Sequence, residues 1–397
     1  MIYVFDHNPG YLLNESVSRF TGCRIYEPSI SLSGSDLLLY CKYFHNYTRF
    51  KLLNGETDYE QISRNKNEEG IDEPIALNTD LNSVLRQQNS FLFLCNTWEY
   101  FPLHSSQFQH NLSQFLLYLG IPSDKVIISC CDSRNIGRTV KGRIKAFGFD
   151  WSYLREKINF SDENSAGTSG KKQKRFIFLN RRYSDDRFLI FLYLMYKNYD
   201  DRGHLSFLSE PPPGSLSRID RLIGSMDFFD SDFPGAVQFM RAGRFKLPVE
   251  IDGGREDVDW AGNRSIRHQI SDSHFFIINE TICDHNDFLF VSEKTYKGIR
   301  HGMPFLLFGS NGILKHLRKL GFRTFHPFID ESYDEEEDYL RRLNLFIREI
   351  DRLCRLNEDE IKELHESMIP IVDHNTGHLK KAGRIDLLEN EITRCVR

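Results

Sequence analysis

Ser292, Glu293 and Lys294 stand directly behind the apolar run FLFV, and Lys297, Arg300 and His301 follow shortly after them, within the stretch DFLFVSEKTYKGIRHGMPFLLFG. Ser292 is a helix N-cap by type, which places Glu293 and Lys294 in a first helical turn. Unpaired N–H groups and the positive end of the helix dipole favour an anion there, a phosphate above all. Lys294 adds a point charge, and Glu293 is suited to accept hydrogen bonds from ribose hydroxyls. The competing reading is an ion pair between Glu293 and Lys297, four positions apart on a solvated face.

A second cationic group lies in FIFLNRRYSDDR, where Asn180, Arg181 and Arg182 close an apolar run and Arg187 falls within the helical pattern behind it. Guanidinium groups fork onto phosphate oxygens, so arginines at a strand end make a diphosphate clamp. The alternative is a surface salt-bridge cluster with Asp185 and Asp186. In HFFIINETICDHNDFLF, Glu280 follows another apolar run. It reads either as a carboxylate for the sugar or ribose of the same ligand, or as an ordinary loop acid.

These groups need strands that end beside helix starts, and the chain alternates accordingly. MIYVFD, DLLLYCKYF, SFLFLCN and KVIISCC are strand-like, and SSQFQHNLSQFLLYLG has helical spacing before its Gly120 stop. After the polar stretch SDENSAGTSGKKQKR the rhythm restarts with RFIFLN, the helix DDRFLIFLYLMYKN and the strand HLSFLS. HFFIINE, FLFVS, PFLLFG and RTFHPF are further strand candidates, and SYDEEEDYLRRLNLFIREIDRLCRL reads as one long helix with acids in its first turn. Strands alternating with helices imply parallel sheets with ligands beyond their carboxyl ends. The fold expected is α/β, two tandem Rossmann-like domains with a helical C-terminal tail. The boundaries are 1–160 for a first α/β domain, 161–175 for a linker, 176–356 for a second α/β domain that carries the cationic strand ends, and 357–397 for the tail.

The chain has 397 residues, 40% hydrophobic and 27% charged, with 32 Phe and 17 Tyr. That composition suits a globular protein with an aromatic interior rather than a disordered chain. A net charge of -5 argues against a nucleic-acid-coating protein. The first residues show no basic segment before an apolar one, and no apolar run reaches bilayer length, so a soluble cytoplasmic location with no transmembrane segment is expected. Lys171, Lys172, Lys174 and Arg175 read as a solvated flank, with peripheral membrane contact as the minor reading. The eight Cys show neither a C-x-x-C pair nor zinc spacing, and free thiols are expected. N-x-[ST] triplets such as Asn279-Glu280-Thr281 read as chance.

The pattern N-R-R…R, then N-E-T, then S-E-K-T-Y-K-G-I-R-H-G-M-P-F-L-L-F-G, then LRKLGFRTF and DESYDEEEDYLRR, resembles the nucleotide-binding half of GT-B type glycosyltransferases. More narrowly it is similar to the fucosyltransferase-like group and its bacterial and viral relatives. Their order of an acid, a spacer, [ST]-E-K, a proline-bearing strand and a glycine matches Glu280, Ser292, Glu293, Lys294, Pro304 and Gly309. The resemblance runs from about Arg175 to Arg342. It implies a nucleotide-sugar donor as substrate, GDP-linked among the candidates, a glycan acceptor and no cofactor. Lys294 and an arginine of the 181, 182 and 187 group would bind the diphosphate, with Glu293 near the ribose.

For the acceptor half the resemblance implies a catalytic carboxylate shortly after a strand, and Glu99 in FLFLCNTWEYFP occupies such a position, although the intervening residues differ. Asp6 and His7, at the end of the first strand, are rival bases. A cleft between the domains is expected to bring base and clamp together. Two alternatives stay open. One is a metal-dependent transferase, for which Asp230-Ser231-Asp232 and Asp257-Val258-Asp259 offer Asp-x-Asp triplets. The other is an inactive nucleotide- or glycan-binding module.

Overall fold

The computed structural model describes residues 2–6, 24–25, 37–43, 52–53, 56–57, 90–95, 113, 116, 121–130, 144–148, 150, 152–153, 172–226, 233–243, 245–249, 267–284, 286, 288–381 and 393–394. Its contacts divide the chain into Met1–Ile158 with Ala382–Arg397, and Asn159–Lys381. The chain is α/β, and each unit is built on a parallel sheet.

The first unit carries β1 (Ile2–Asp6), β2 (Arg24–Ile25), β3 (Leu37–Tyr43), a short antiparallel pair β4 (Leu52–Leu53) and β5 (Glu56–Thr57), then β6 (Ser90–Cys95), β7 (Val126–Cys130) and β8 (Lys145–Gly148). The main sheet runs β2-β1-β3-β6-β7-β8, with every pairing parallel. Val126, Ile127, Ile128 and Phe147 are buried. A parallel sheet covered on both faces reads as continuous apolar runs for that reason.

The second unit carries β9 (Lys174–Asn180), α1 (Asp185–Tyr196), β10 (Gly203–Phe207), α2 (Ser215–Ile223), α3 (Ala236–Arg241), α4 (Arg267–Asp272), β11 (Ser273–Asn279), α5 (Glu293–Arg300), β12 (Phe305–Phe308), α6 (Ile313–Lys319), α7 (Tyr339–Arg355) and α8 (Glu358–Lys381). Its sheet runs β10-β9-β11-β12, all parallel. Every residue of β11 is buried, and α1 is buried from Asp186 to Met195. A helix apolar on all sides belongs inside a core.

Five local expectations change. Phe288 to Val291 are buried but form no strand, because β9 and β12 occupy both sides of β11. Burial, not pairing, is what that apolar run encodes. RTFHPF is likewise a loop: Arg323 N–H donates to Asn375 Oδ1 at 2.7 Å and Phe325 N–H to Glu331 Oε1 at 2.6 Å. Side chains thus take the donors a ladder would use.

The acidic run SYDEEED does not open the long helix, because Ser332–Glu335 forms a short 3-10 turn of its own. Asp334 accepts the N–H groups of Leu314 and Lys315 and so serves the first turn of α6, whereas Asp338 caps α7 through Arg341 N–H. Opposing a helix N-terminus with a carboxylate satisfies two orphan donors and the dipole together.

Lys171 lies outside the described residues, and from Lys172 on the basic run is not a solvated flank. Lys172 donates to the carbonyls of Ser271 and Ser273, Lys174 to that of Asp201, and Arg175, buried, to that of Cys354.

The helix expected as a separate tail begins at Glu358 and belongs to the second unit. Asn357 Oδ1 caps it by accepting from Asp359 and Glu360, and Glu360 returns a carboxylate oxygen to Asn357 N–H. That reciprocal arrangement is a capping box. Farther along α8, His365 bonds the carbonyl of His274, and Asn375 pairs with both backbone groups of Arg323. Among the described residues no helix is long and apolar enough to cross a membrane.

Candidate functional site

The order β10-β9-β11-β12 sends the chain from β9 to one side and later to the other, so the sheet reverses between β9 and β11. In open α/β sheets such a reversal leaves a crevice beyond the carboxyl ends of the two strands, where ligands bind. β9 ends at Asn180 and β11 at Asn279. Of the residues singled out from sequence, Asn180, Arg181, Arg182 and Glu280 therefore border this reversal point. In the first unit the same reversal falls between β1 and β3, and Asp6 ends β1 there.

Helix α5 is held over the end of β11 by its own sequence. Ser292 Oγ accepts from Lys294 N–H at 3.2 Å, as an N-cap should. Gly298 lets the helix lie close to the sheet, since a Cβ there would meet Ile278 Cδ1 at 3.1 Å. Gly302, at φ 66°, ends it: Gly302 N–H reaches the carbonyl of Ile299 and Met303 N–H that of Gly298, which is the Schellman arrangement. Arg300 and His301, which gave the stretch much of its charge, are buried.

The loop after β11 grips the start of α5. Glu280, fully buried, gives one carboxylate oxygen, Oε1, to Ser292 N–H at 3.0 Å and to the Thr295 hydroxyl at 2.6 Å. Thr281 Oγ1 accepts from Lys294 Nζ at 3.1 Å, and the same ammonium lies 3.3 Å from Ser292 Oγ and 3.5 Å from Glu293. The Lys294 side chain keeps 31% of its surface exposed. Its ammonium is thus fixed in direction yet open to solvent, a suitable partner for an anion. Glu280 differs from the expectation of a carboxylate reading a sugar directly, because Oε1 already serves α5. Its Oε2 is buried and has no hydrogen-bond partner among the described residues.

The arginines divide by burial. Arg181 and Arg182 are exposed beyond β9. Arg187 is buried, and its Nη2 donates to the carbonyls of Asn279 and Glu280 while Nη1 donates to that of Arg182. Its guanidinium joins the two strand ends instead of facing out. The acids that offered a salt-bridge cluster have other partners: Asp185 pairs with Arg218 and accepts from the Tyr183 hydroxyl, and Asp186 accepts from Asn279 Nδ2. Burial pushes the Tyr183 phenol up to about 12, and its bond to Asp185 acts in the same direction, so Tyr183 stays a neutral donor.

Asn180 is buried, and its Nδ2 finds no partner among the described residues. Sequence reasoning missed Thr281 and Thr295 as latches. Their signal was a hydroxyl one residue after each acid-bearing or cationic position, in Glu280-Thr281 and Lys294-Thr295. Asn279 is buried, which agrees with its N-x-[ST] triplet being chance.

Glu99 and His7 lie outside the described residues, as do both Asp-x-Asp triplets, and Asp6 is described by its backbone alone. Among the described residues no three His, Cys, Asp or Glu side chains gather so as to hold a metal. Cys283 and Cys354 are free, buried thiols.

No family model matches the chain, and no curated protein matches it. Among solved structures, alpha,alpha-trehalose 6-phosphate synthase from Burkholderia multivorans is similar at 10% identity, over 91% of this chain and 71% of that chain, with a TM-score of 0.36. A likeness of that size carries no argument about the site.

Proposed function

We propose that the chain is a nucleotide-sugar-dependent glycosyltransferase of GT-B type, with two Rossmann-like domains, acting without a metal and with inversion. One observation carries the reading: Lys294 Nζ is latched by Thr281 and Ser292 at the reversal point of a parallel sheet. Two exposed arginines follow the neighbouring strand end. Cations at that place suit a nucleoside diphosphate. The order of motifs that resembles fucosyltransferase-like enzymes supports the same choice.

In the transfer, the bond from the anomeric carbon to the diphosphate oxygen breaks and its electron pair leaves on that oxygen. The acceptor hydroxyl forms the new bond from the opposite face, and its proton passes to a carboxylate. Lys294 and Arg181 would stabilise the charge gathering on the leaving diphosphate, usually a large contribution. Glu99 is the first choice of base, and Asp6 and His7 are its rivals. A general base contributes about 10²–10⁴-fold.

The test is nucleotide release from GDP-, UDP- and CMP-linked sugars, each with and without EDTA, by wild type and Lys294→Ala. The reading requires release from at least one donor, undiminished by EDTA and lost in Lys294→Ala. Release abolished by EDTA would favour the metal-dependent alternative. Tight binding of a nucleotide without turnover would favour the binding module.

A further inference from the structure

We infer that Glu280 is a built-in counter-anion of the phosphate site, a residue that weakens the hold on diphosphate and so favours release of the nucleotide product. The inference rests on the reading of this site as a diphosphate site. Three observations carry it. Glu280 is fully buried beneath the first turn of α5, and its Oε1 takes Ser292 N–H and the Thr295 hydroxyl. A carboxylate thus already occupies the place where a helix N-terminus would receive an anion. The residue beside it, Thr281, holds Lys294 Nζ, so the carboxylate and the cation that an incoming phosphate would use are held by adjacent residues of one loop at the start of α5. Its Oε2 is buried with no partner among the described residues, so that oxygen's charge is not drawn off by a hydrogen bond there.

The consequence differs between substrate and product. In a nucleotide sugar both phosphates are esterified, whereas after transfer the terminal phosphate is free and carries additional negative charge. A fixed carboxylate therefore disfavours the product more than the donor. Two unit charges about 7 Å apart at an effective dielectric constant of about 20 repel by an amount equal to roughly fifty-fold in affinity. Solvent and salt reduce this, and a change of about five- to twenty-fold is expected.

The test is calorimetric binding of inorganic pyrophosphate and of GDP to wild type, Glu280→Gln and Thr295→Val. Gln keeps an oxygen acceptor for Ser292 and Thr295 but removes the charge, whereas Val removes one hydrogen bond and keeps the charge. Glu280→Gln is expected to bind pyrophosphate and GDP about five- to twenty-fold more tightly at unchanged thermal stability, and Thr295→Val to bind within about two-fold of wild type. Equal or weaker binding by a folded Glu280→Gln would overturn the inference. Glu280→Asn, neutral and shorter, is the second variant should Gln not fold, and the same criterion applies to it. Absence of binding to wild type, with normal folding, would count against the diphosphate reading itself. In that case a gain of pyrophosphate binding in Glu280→Gln still upholds the counter-anion role, and no gain ends it.

Discussion

Arg187, buried in α1, donates through Nη2 to the carbonyl oxygen of Glu280 at 2.9 Å and so ties the first helix of the second unit to the end of β11. The same nitrogen reaches the carbonyl of Asn279 at 3.3 Å. Asn279 is the last residue of β11 and Glu280 the first beyond it, where Asn279 Nδ2 and Cys283 Sγ also donate to the Glu280 carbonyl at 3.2 and 3.4 Å.

Arg187→Leu should therefore act on stability first. The Glu280 carbonyl keeps Asn279 Nδ2 and Cys283 Sγ as donors, and one buried hydrogen-bonding group left short of a partner costs about 1–3 kcal/mol, so a loss of that size is expected in urea unfolding with the slope unchanged. A variant of wild-type stability with abolished nucleotide binding would instead make Arg187 a direct phosphate ligand.

Lys294→Ala is expected to behave in the opposite way, since the ammonium is partly exposed and buried Ser292 keeps its bond from the backbone N–H of residue 294. A hydrogen bond to a charged group is worth about 1.5–3 kcal/mol. Nucleotide-diphosphate affinity should fall roughly ten- to over a hundred-fold by calorimetry while the melting temperature moves little.

Acid should weaken the second unit through His274 and His365, whose rings pack edge to face with centroids 5.3 Å apart. Burial lowers both to about 4; for His274 the neighbouring His365 and then Lys172 add to it, and for His365 the charge of Lys172 does. The unfolded rings take up a proton near pH 6.5, so between pH 6.5 and about 4 the unfolded state binds more protons. Stability must fall as pH drops through that window, by up to about 3 kcal/mol for either ring. Urea midpoints at pH 7, 6 and 5 should decline more steeply for wild type than for His365→Gln, and parallel curves would remove the pair as the cause.

Asn375→Ala tests whether α8 is part of the second unit's core. Asn375 both donates to and accepts from the backbone of Arg323, at 2.8 and 2.7 Å. Losing both should cost about 1–3 kcal/mol, read as a lower melting temperature. No change would leave α8 as an appendage.

Glu99→Gln keeps shape and one hydrogen-bonding oxygen but cannot accept the proton. With a known acceptor, transfer should fall by about 10²–10⁴-fold and donor affinity should hold. An unchanged rate would pass the role to Asp6 or His7.

Periodicity and local chemistry were enough to read the strands β1, β3, β6, β7, β9, β10, β11 and β12, the helix after β9, the N-cap Ser292 and the basic residues at two strand ends. Such features depend on near neighbours in the chain: an apolar run, a cap two positions from the donor it serves, a glycine after a helix. The sequence therefore carried the α/β class and the place where a ligand site should be sought. It did not carry partner choice across long separations. Asp334 went to α6 rather than to the helix behind it, Arg187 turned inward to carbonyls some ninety positions away, and Glu280 spent an oxygen on Ser292. Phe288 to Val291 were buried without pairing because the sheet had no place beside β11. Charge and hydrophobicity are local properties of a residue type, whereas the donor that meets a given acceptor is fixed only when packing brings distant segments together.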